Sequence, residues 1–361
     1  MNFEPTAEHT MLRTMVEDVL ADPTPATPDE LWMTFADLGL LGLTFPESDG
    51  GQGAGPIEAM IVMSELGAAT TRLPVLDCAA LPGGLLVDAG SPTQRRDLLP
   101  RVAAGTLRMA FAHEESHSRW PLRTPSTSAV HQRNSWRVSG HKSPVLWGAE
   151  ADLLIVSATG PDGVGLFLVD PADPGVTRRG SATHDGGRVA DVVFEQAAAE
   201  PLASRRTEDA IEAAQVAAQA ALCAEAVGVM TEALRITAEY LCTREQFGVP
   251  LRSFQALTHR AADMYIALTL ARGMSVYAST ALADGLIDQT VASRAKLRVG
   301  RSARFVGQEA VQLHGGIGMT TEHAISRCFA RLTAIEQTLG TSDDHLRYLM
   351  DRVSDYDMVD L

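Results

Sequence analysis

The stretch CTREQFGVPLRSFQ, residues 242–255, separates two long apolar helical patterns and carries side chains that a plain helix connection does not need. Arg244 offers a charged fork, Gln246 can meet carbonyl and amide groups, and Phe247 can cover an aromatic ring. A structural role also suits these residues, because a helix dipole favours a C-terminal arginine and the phenylalanine can pack between helices. Composition alone favours the structural interpretation.

Helical patterns continue on both sides of this stretch. They cover residues 207–247, 253–283, 288–314 and 321–337, with short connections. Long helices joined in this way are typical of an up-and-down bundle. The segment QLHGGIG, residues 312–318, ends the third pattern, and its glycines allow another molecule to approach the backbone closely. Taken alone, this segment fits an ordinary helix cap equally well.

The chain before residue 205 divides into a helical part and a β part. Residues 1–106 show helical spacing, with two predicted capping boxes, TPDE from Thr27 and SPTQ from Ser91. Residues 107–204 show short β-type runs separated by Gly, Pro, Asp and Ser clusters, with no long helical pattern between them. The sequence therefore predicts three domains: helical 1–106, an antiparallel sandwich or barrel over 107–204, and a helical bundle over 205–361.

Composition narrows the class of protein. The 361 residues are 45% hydrophobic and 21% charged, which suits a soluble globular chain of two or three domains. A net charge of −15 disfavours nucleic-acid binding. The scattered cysteines lack the spacing of a metal site. Glu114 and His117 have the i, i+3 spacing of di-iron bundles, but the pair follows a predicted strand and has no second copy, which disfavours a metal site. With no visible signal peptide and no apolar run approaching a membrane span, we expect a cytoplasmic protein without a membrane partner.

Together, several motifs resemble the acyl-CoA dehydrogenase family. REQFGVPLRSFQALTHRAADM is followed some distance later by QLHGGIGMTTEHAISR, and FPESDGGQG, WRVSGHK, ADLLIVSA and GTS match at other points. The resemblance therefore spans nearly the whole chain. It implies an N-terminal all-α domain, a middle antiparallel β-barrel and a C-terminal four-helix bundle, the order that the periodicity also predicts.

The resemblance implies FAD as the cofactor and an oligomer as the working form. The residues that match FAD-contacting positions are Arg244, Glu245, Gln246, Phe247, Phe254, Gln255, Gln312, Leu313, His314, Gly315, Gly316 and Thr341. In the family, residues matching 244–247 lie on the pyrophosphate, and the residue matching Thr341 lies near the adenine. The segment matching 312–316 reaches FAD bound mainly to a neighbouring subunit, so a single chain is not expected to complete the site.

Two segments depart from the family pattern near the flavin ring. The family usually carries Trp-Ile-Thr or a similar stretch there, whereas this chain has Pro144, Val145 and Leu146. Leucine cannot replace a threonine hydroxyl contact, although a backbone contact can persist. HEESHSRW, residues 113–120, stands where the family carries its TEP…GSD segment.

The largest departure concerns the catalytic base. Family members remove an α-proton while hydride leaves the β-carbon, so a carboxylate must lie over the α-carbon. Most members place a glutamate before GTS, where this chain has Leu339, and a minority place it at the position of Ala218. Glu225 and Glu336 are weak candidates for a relocated base. A glutamate on a buried helix more often serves as a structural partner for an arginine.

The resemblance is nearest to divergent members that pair with a second, related subunit, several of which act on steroid-side-chain thioesters. We therefore expect FAD-dependent α,β-dehydrogenation of an acyl-CoA thioester by one subunit of a hetero-oligomer. One alternative is a homomeric flavoenzyme with a relocated base, or a reaction that needs none. A second is a non-catalytic scaffold subunit that completes a partner's FAD site.

Overall fold

The computed structural model describes residues 6–22, 27–132, 135–204 and 206–355. Helices form the first part of the chain, as predicted. Their bounds are α1 (Ala7–Ala21), α2 (Pro28–Asp37), α3 (Pro56–Ala68), α4 (Leu81–Ala89) and α5 (Pro92–Ala103). Both predicted capping boxes are confirmed: the Thr27 hydroxyl accepts from the Glu30 amide at 3.2 Å, and the Ser91 hydroxyl accepts from the Gln94 amide at 3.2 Å.

Strands follow in the middle of the chain and form one seven-stranded sheet within the described residues. They are β1 (Met109–Ala112), β2 (Ser128–Gln132), β3 (Ser135–Leu146), β4 (Leu153–Gly160), β5 (Gly163–Val169), β6 (Val176–Ala182) and β7 (Arg188–Pro201). The order is β1-β4-β2-β3-β7-β5, and a further β4–β5 pairing closes the path. This closure confirms the predicted barrel, whose interior holds buried apolar side chains from several strands.

The prediction of an antiparallel barrel needs one correction. Strand β1 pairs with β4 in parallel, from Met109 opposite Leu153 to Ala112 opposite Val156, and β2 meets β4 in parallel at one position. The remaining pairings are antiparallel. Strands β2 and β3 lie between β1 and β4 in sequence, so the chain has room to return in the same direction. Hydrophobic alternation reports a strand but not its direction, which is why the sequence missed this pair.

The last part of the chain is helical again, in agreement with the predicted bundle. Its helices are α6 (Thr207–Thr243), α7 (Gln255–Ala283), α8 (Gln289–His314), α9 (Ala324–Gln337) and α10 (Ser342–Met350). Two short strands that the sequence did not predict, β8 (Glu245–Gln246) and β9 (Val249–Pro250), pair between α6 and α7. Thr207 is the first residue of α6, and its hydroxyl donates to the Ser204 carbonyl at 3.3 Å.

The chain forms two compact units. The first contains the described residues of 1–22, 56–71 and 219–361, and the second contains those of 23–55 and 72–218. Because both units draw on the N-terminal helices, they do not follow the sequence order of the domains. The boundaries at 106 and 204 stay a prediction.

Helices α3 and α6 approach each other with their backbones nearly in contact. A Cβ added to Gly67 would lie 2.1 Å from the Glu225 carbonyl oxygen, and one added to Gly228 would lie 1.9 Å from that of Ser64. Any side chain at these positions would therefore force the helices apart. These two glycines are therefore the positions that allow α3 and α6 to pack so closely.

Among the described residues, two helices are long and apolar enough to cross a membrane by length and composition, contrary to the expectation that no such run exists. The most apolar 18-residue stretch of α6 is 83% buried inside the protein, and that of α7 is 44% buried. A core helix passes the same test as a membrane span, because both are apolar on all sides. The burial of α6 accounts for its composition.

Candidate functional site

The segment from Arg244 to Phe247 forms an exposed hairpin just after α6. Strands β8 and β9 form its two sides, and the connection between them is Phe247 and Gly248, with φ angles of +56° and +81°. Phe247 is 93% exposed, and its ring meets Phe254 edge-on, with ring centroids 6.1 Å apart. A phenylalanine whose backbone is in the left-handed region and whose ring faces water is costly for the chain. This hairpin is therefore suited to being covered by a ligand or a subunit.

The side chains of the hairpin do not serve the structural role that composition allowed. Helix α6 ends at Thr243, and the described ranges contain no hydrogen bond or ion pair to the exposed Arg244 guanidinium. Glu245 and Gln246 are also exposed, and the Gln246 amide donates only to the Glu245 carbonyl, at 2.8 Å. A free guanidinium on an exposed turn can bind an anion such as a pyrophosphate.

The QLHGG segment ends α8 as predicted and presents open backbone. Gly315 has a φ angle of +65°, and a Cβ added to Gly315 or Gly316 would have no atom within 4 Å. Gln312 and both glycines are exposed, whereas Leu313 and His314 are buried. A ligand could therefore approach the main chain here without displacing any described side chain.

An aromatic stack joins the ends of α6 and α8. The His314 ring stacks on Tyr240 with centroids 4.4 Å apart, and it lies 4.8 Å from the His323 ring. His314 donates from Nδ1 to the Ala310 carbonyl at 2.8 Å, and burial lowers its pKa. The Arg244 hairpin begins one helical turn after Tyr240 and the Gly315 turn directly follows His314, so the stacking of these two rings brings the two predicted FAD segments together.

The remaining predicted FAD residues lie at helix starts. Phe254 is half-buried at the N-cap position of α7, and exposed Gln255 begins that helix. The Thr341 hydroxyl is the N-cap of α10, where it accepts from the Asp344 amide at 3.2 Å and donates to the Asp344 carboxylate at 2.7 Å. Its hydroxyl is thus used by the cap, and a ligand contact at Thr341 would have to involve other atoms.

The segment expected beside the flavin ring is built differently from the family pattern. Val145 is fully buried in the barrel, between exposed Pro144 and half-buried Leu146. In HEESHSRW, the Glu115 carboxylate accepts from Lys142 Nζ at 2.9 Å and from the backbone amides of Ser126 and Thr127. Hydrogen bonds from these neighbours, including the Ser126 hydroxyl, hold the pKa of Glu115 down to about 2, although burial acts in the opposite direction. These hydrogen bonds hold the segment against the barrel.

Neither weak candidate for a relocated base has a free carboxylate. Both oxygens of buried Glu225 accept from the Arg331 guanidinium, at 2.6 and 2.7 Å. Glu336 accepts from the Ser342 amide at 2.9 Å and from the Gln337 side chain at 2.7 Å. The structure therefore favours the structural interpretation of Glu225, an ion pair with an arginine, and ties Glu336 to the start of α10.

The two usual base positions carry no proton acceptor. Ala218 is buried in α6 with 1% exposure. Leu339 is half-buried in the turn between α9 and α10, and its φ angle of +54° lies in the left-handed region. A leucine in this conformation costs roughly 1–2 kcal/mol relative to the right-handed region. The turn therefore needs outside support.

Sequence reasoning missed four buried polar residues that surround this turn. Gln219 Nε2 lies 3.2 Å, and His345 Nε2 3.1 Å, from the Leu339 carbonyl oxygen. Gln289 Nε2 lies 2.7 Å from Gln219 Oε1 and 3.2 Å from Ser293 Oγ, and Ser293 Oγ lies 3.0 Å from His345 Nδ1. We call Gln219, Gln289, Ser293 and His345 the polar ring. No local sequence pattern identifies these four residues, because most of their hydrogen-bond partners lie far away in sequence.

Acidification is expected to destabilise the polar ring through His345. Burial, followed by the charge of Lys296, lowers the His345 pKa from 6.5 to about 3. Between these values the unfolded chain binds more protons, so the contribution to stability is present above pH 6.5 and is lost as the pH falls. The free energy of unfolding should fall by up to about 1.4 kcal/mol per pH unit from this residue. His345→Gln should reduce the slope by about one proton; an unchanged slope would contradict the buried neutral imidazole.

Comparisons with known proteins agree with this architecture. A family model described as acyl-CoA dehydrogenase, N-terminal domain, matches residues 6–106, and one described as acyl-CoA dehydrogenase, C-terminal domain, matches residues 209–354. The acyl-CoA dehydrogenase FadE27 of Mycobacterium tuberculosis is 31% identical, over 88% of this chain and 86% of that protein.

Two solved structures share the fold over nearly the whole chain. The steroid acyl-CoA dehydrogenase variant Tcur3481-Tcur3483 is 33% identical, with a TM-score of 0.88, and the match covers 96% of this chain and 98% of that one. The ChsE4-ChsE5 complex from Mycobacterium tuberculosis is 26% identical, with a TM-score of 0.89, and covers 99% and 100%. Fold, motifs and relatives agree, and the chain belongs to the acyl-CoA dehydrogenase family.

Proposed function

We propose that this chain is the base-deficient subunit of a hetero-oligomeric acyl-CoA dehydrogenase. Family membership supports oxidoreductase chemistry on acyl-CoA thioesters with FAD as the cofactor. The observation that carries the finer proposal is the absence of a carboxylate at Leu339 and Ala218, while Glu225 and Glu336 are engaged elsewhere. The names of two similar structures describe a steroid enzyme and a two-component complex, which favours a paired subunit and a steroid-type thioester.

The residues present fit FAD. The Arg244 guanidinium is exposed and carries the charge that a pyrophosphate needs, and the backbone at Gly315 and Gly316 is open. The stack of Tyr240 on His314 supports one shared ligand for the two segments. Phe247 supplies an apolar cover that would exclude water from that ligand.

The division of labour in the reaction follows from these residues. Bound FAD supplies the hydride acceptor for the β-carbon. Arg244 and the open glycine backbone hold and orient the cofactor's pyrophosphate region, and Phe247 shields it from water. No side chain at position 339 can take the α-proton, because leucine has no lone pair to offer. A carboxylate from a partner subunit therefore has to remove that proton.

Arg244→Ala is expected to lower FAD affinity about tenfold or more, because a hydrogen bond to a charged group contributes roughly 1.5–3 kcal/mol. The measurement is the flavin content that remains after dialysis at several FAD concentrations. Arg252→Ala is the matched control, since Arg252 is an exposed arginine on the short turn before α7 and matches no FAD position. Equal flavin retention by both variants would remove Arg244 from the cofactor site.

Light scattering of the FAD-bound protein should give a mass of at least two chains. The Gly315 turn is expected to serve FAD in a neighbouring subunit, so one chain alone would leave this turn and the exposed Phe247 hairpin uncovered. The light scattering should be measured over a range of protein concentrations that extends to micromolar. A particle with the mass of one chain and a full complement of FAD would show that the site is built within a single chain.

A scaffold subunit without a reaction of its own is the second candidate function. The same observation favours it, because a chain with no free carboxylate at either base position could still complete a partner's FAD site. Its four cysteines are all free thiols, which fits the reducing cytoplasm. The two functions differ in whether a base introduced at position 339 restores turnover, as described in the Discussion.

A further inference from the structure

The polar ring has only one consistent arrangement of protons. A carbonyl oxygen can only accept, so both Gln219 Nε2 and His345 Nε2 must donate to Leu339. With its proton on Nε2, neutral His345 accepts at Nδ1 from the Ser293 hydroxyl. The Gln289 amide then donates one hydrogen to Ser293 and the other to Gln219. Two chains of hydrogen bonds thus start at Gln289 and meet at one carbonyl.

Because the four side chains are buried, losing any one of these hydrogen bonds would be energetically costly. Gln219, Ser293 and His345 are 0% exposed, and Gln289 is 5% exposed. A buried polar group that loses its partner is costly, so each member depends on the others. The ring therefore behaves as one unit, and its two end points occupy both acceptor positions of the Leu339 oxygen.

Other hydrogen bonds hold the residues on either side of Leu339 in the turn. Lys296 Nζ, fully buried between α8 and α9, donates to the Ile335 and Thr338 carbonyls, each at 2.8 Å. On the other side, Glu336 accepts from the Ser342 amide at 2.9 Å. The polar ring donates hydrogen bonds to Leu339, which lies between these supports. The Leu339 backbone is strained, with a φ angle of +54°.

We propose that Gln219 and His345, supported by Gln289 and Ser293, are positioning residues that fix the main chain of residue 339 whatever side chain that residue carries. The hydrogen bonds that Gln219 and His345 donate to Leu339 go to its carbonyl oxygen, which the main chain keeps whatever the side chain. The family's base turn is thus preserved in this chain although its base is missing. The importance of position 339 for turnover rests on the proposed function, whereas the hold on the turn does not.

Hydrogen exchange of the turn tests the positioning role. In Gln219→Leu and His345→Phe, the peptide covering residues 338–345 should exchange about tenfold faster or more, because each variant removes one donor to a buried acceptor. A peptide from the middle of α6, residues 225–235, reports any general loss of stability in the same unit. His345→Gln keeps a donor at the place of Nε2 and should stay close to the wild-type rate.

Ser293→Ala and Ser302→Ala form a matched pair. Both serines are buried in α8, but only Ser293 belongs to the ring, while the Ser302 hydroxyl has no partner among the described residues. Ser293→Ala should speed exchange of the turn and Ser302→Ala should not. Leu339→Ala should leave the turn protected, because the ring donates to the main-chain carbonyl, which alanine keeps. Equal exchange in the two serine variants, or loss of protection in Leu339→Ala, would overturn the proposal.

A second readout separates this inference from the proposed function. In a Leu339→Glu background, Gln219→Leu should lower kcat about tenfold with little change in KM or in flavin content, whereas Ser302→Ala should change none of these. If Leu339→Glu gains no activity but the exchange pattern holds, the proposed function fails and the positioning role stands. If activity appears but is insensitive to Gln219→Leu, the positioning role fails.

Discussion

Leu339→Glu is expected to raise the rate at which the isolated, FAD-loaded chain dehydrogenates an acyl-CoA thioester by about 10²–10⁴-fold, the usual contribution of a general base. The turn that carries residue 339 is held through its main chain, so the new carboxylate should lie where the leucine side chain lies now. The measurement is steady-state turnover with an artificial electron acceptor.

Leu339→Gln is the control for this gain of function, because glutamine has nearly the same shape as glutamate but cannot accept the α-proton at neutral pH. It should remain as slow as the wild-type chain. Equal activity of the two variants would show that shape rather than basicity was missing. No gain in either variant, with FAD bound and the turn intact, would favour the scaffold function.

Glu225→Ala is expected to reduce the free energy of unfolding by about 3–5 kcal/mol, since it leaves the buried Arg331 guanidinium without its carboxylate. Both oxygens of Glu225 bond to that guanidinium, at 2.6 and 2.7 Å, and the two residues join α6 to α9. Denaturant unfolding followed by circular dichroism gives the difference. A stable Glu225→Ala variant that lost only activity would instead identify Glu225 as the relocated base.

Two further variants separate the ion pair from side-chain packing. The double change Glu225→Met with Arg331→Leu removes both charges and should recover most of the lost stability. Glu232→Ala, also on α6, breaks an ion pair with Arg235, whose side chain is 60% exposed. That surface pair should contribute less than about 1 kcal/mol. Similar losses in Glu225→Ala and Glu232→Ala would contradict a special role for the buried pair.

Local chemistry explains what the sequence could predict. The capping boxes at Thr27 and Ser91 and the helix end at Gly315 depend on residues a few positions apart, and the structure confirms each. The order of helical and β segments follows from hydrophobic periodicity for the same reason. The two segments proposed to bind FAD were predicted from the family resemblance and not from their residue types alone, and the stack of Tyr240 on His314 shows that they are neighbours.

Contacts between distant residues explain what the sequence could not predict. Gln219 reaches Leu339 across 120 positions, and Glu225 meets Arg331 across 106. On their own helices these polar residues resemble any solvated or buried position, so neither the polar ring nor the ion pair has a local signal. The parallel pairing of β1 with β4 is invisible for a related reason, because alternation does not encode strand direction.

The central claim is that this chain lacks its own base and depends on a partner subunit. Anaerobic addition of an acyl-CoA thioester, followed by the loss of the yellow flavin absorbance, tests it most directly. The wild-type chain purified alone and loaded with FAD should bleach at less than about a thousandth of the rate of the complex purified with its related subunit from the native host. Rapid and complete bleaching of the isolated wild-type chain would contradict the account.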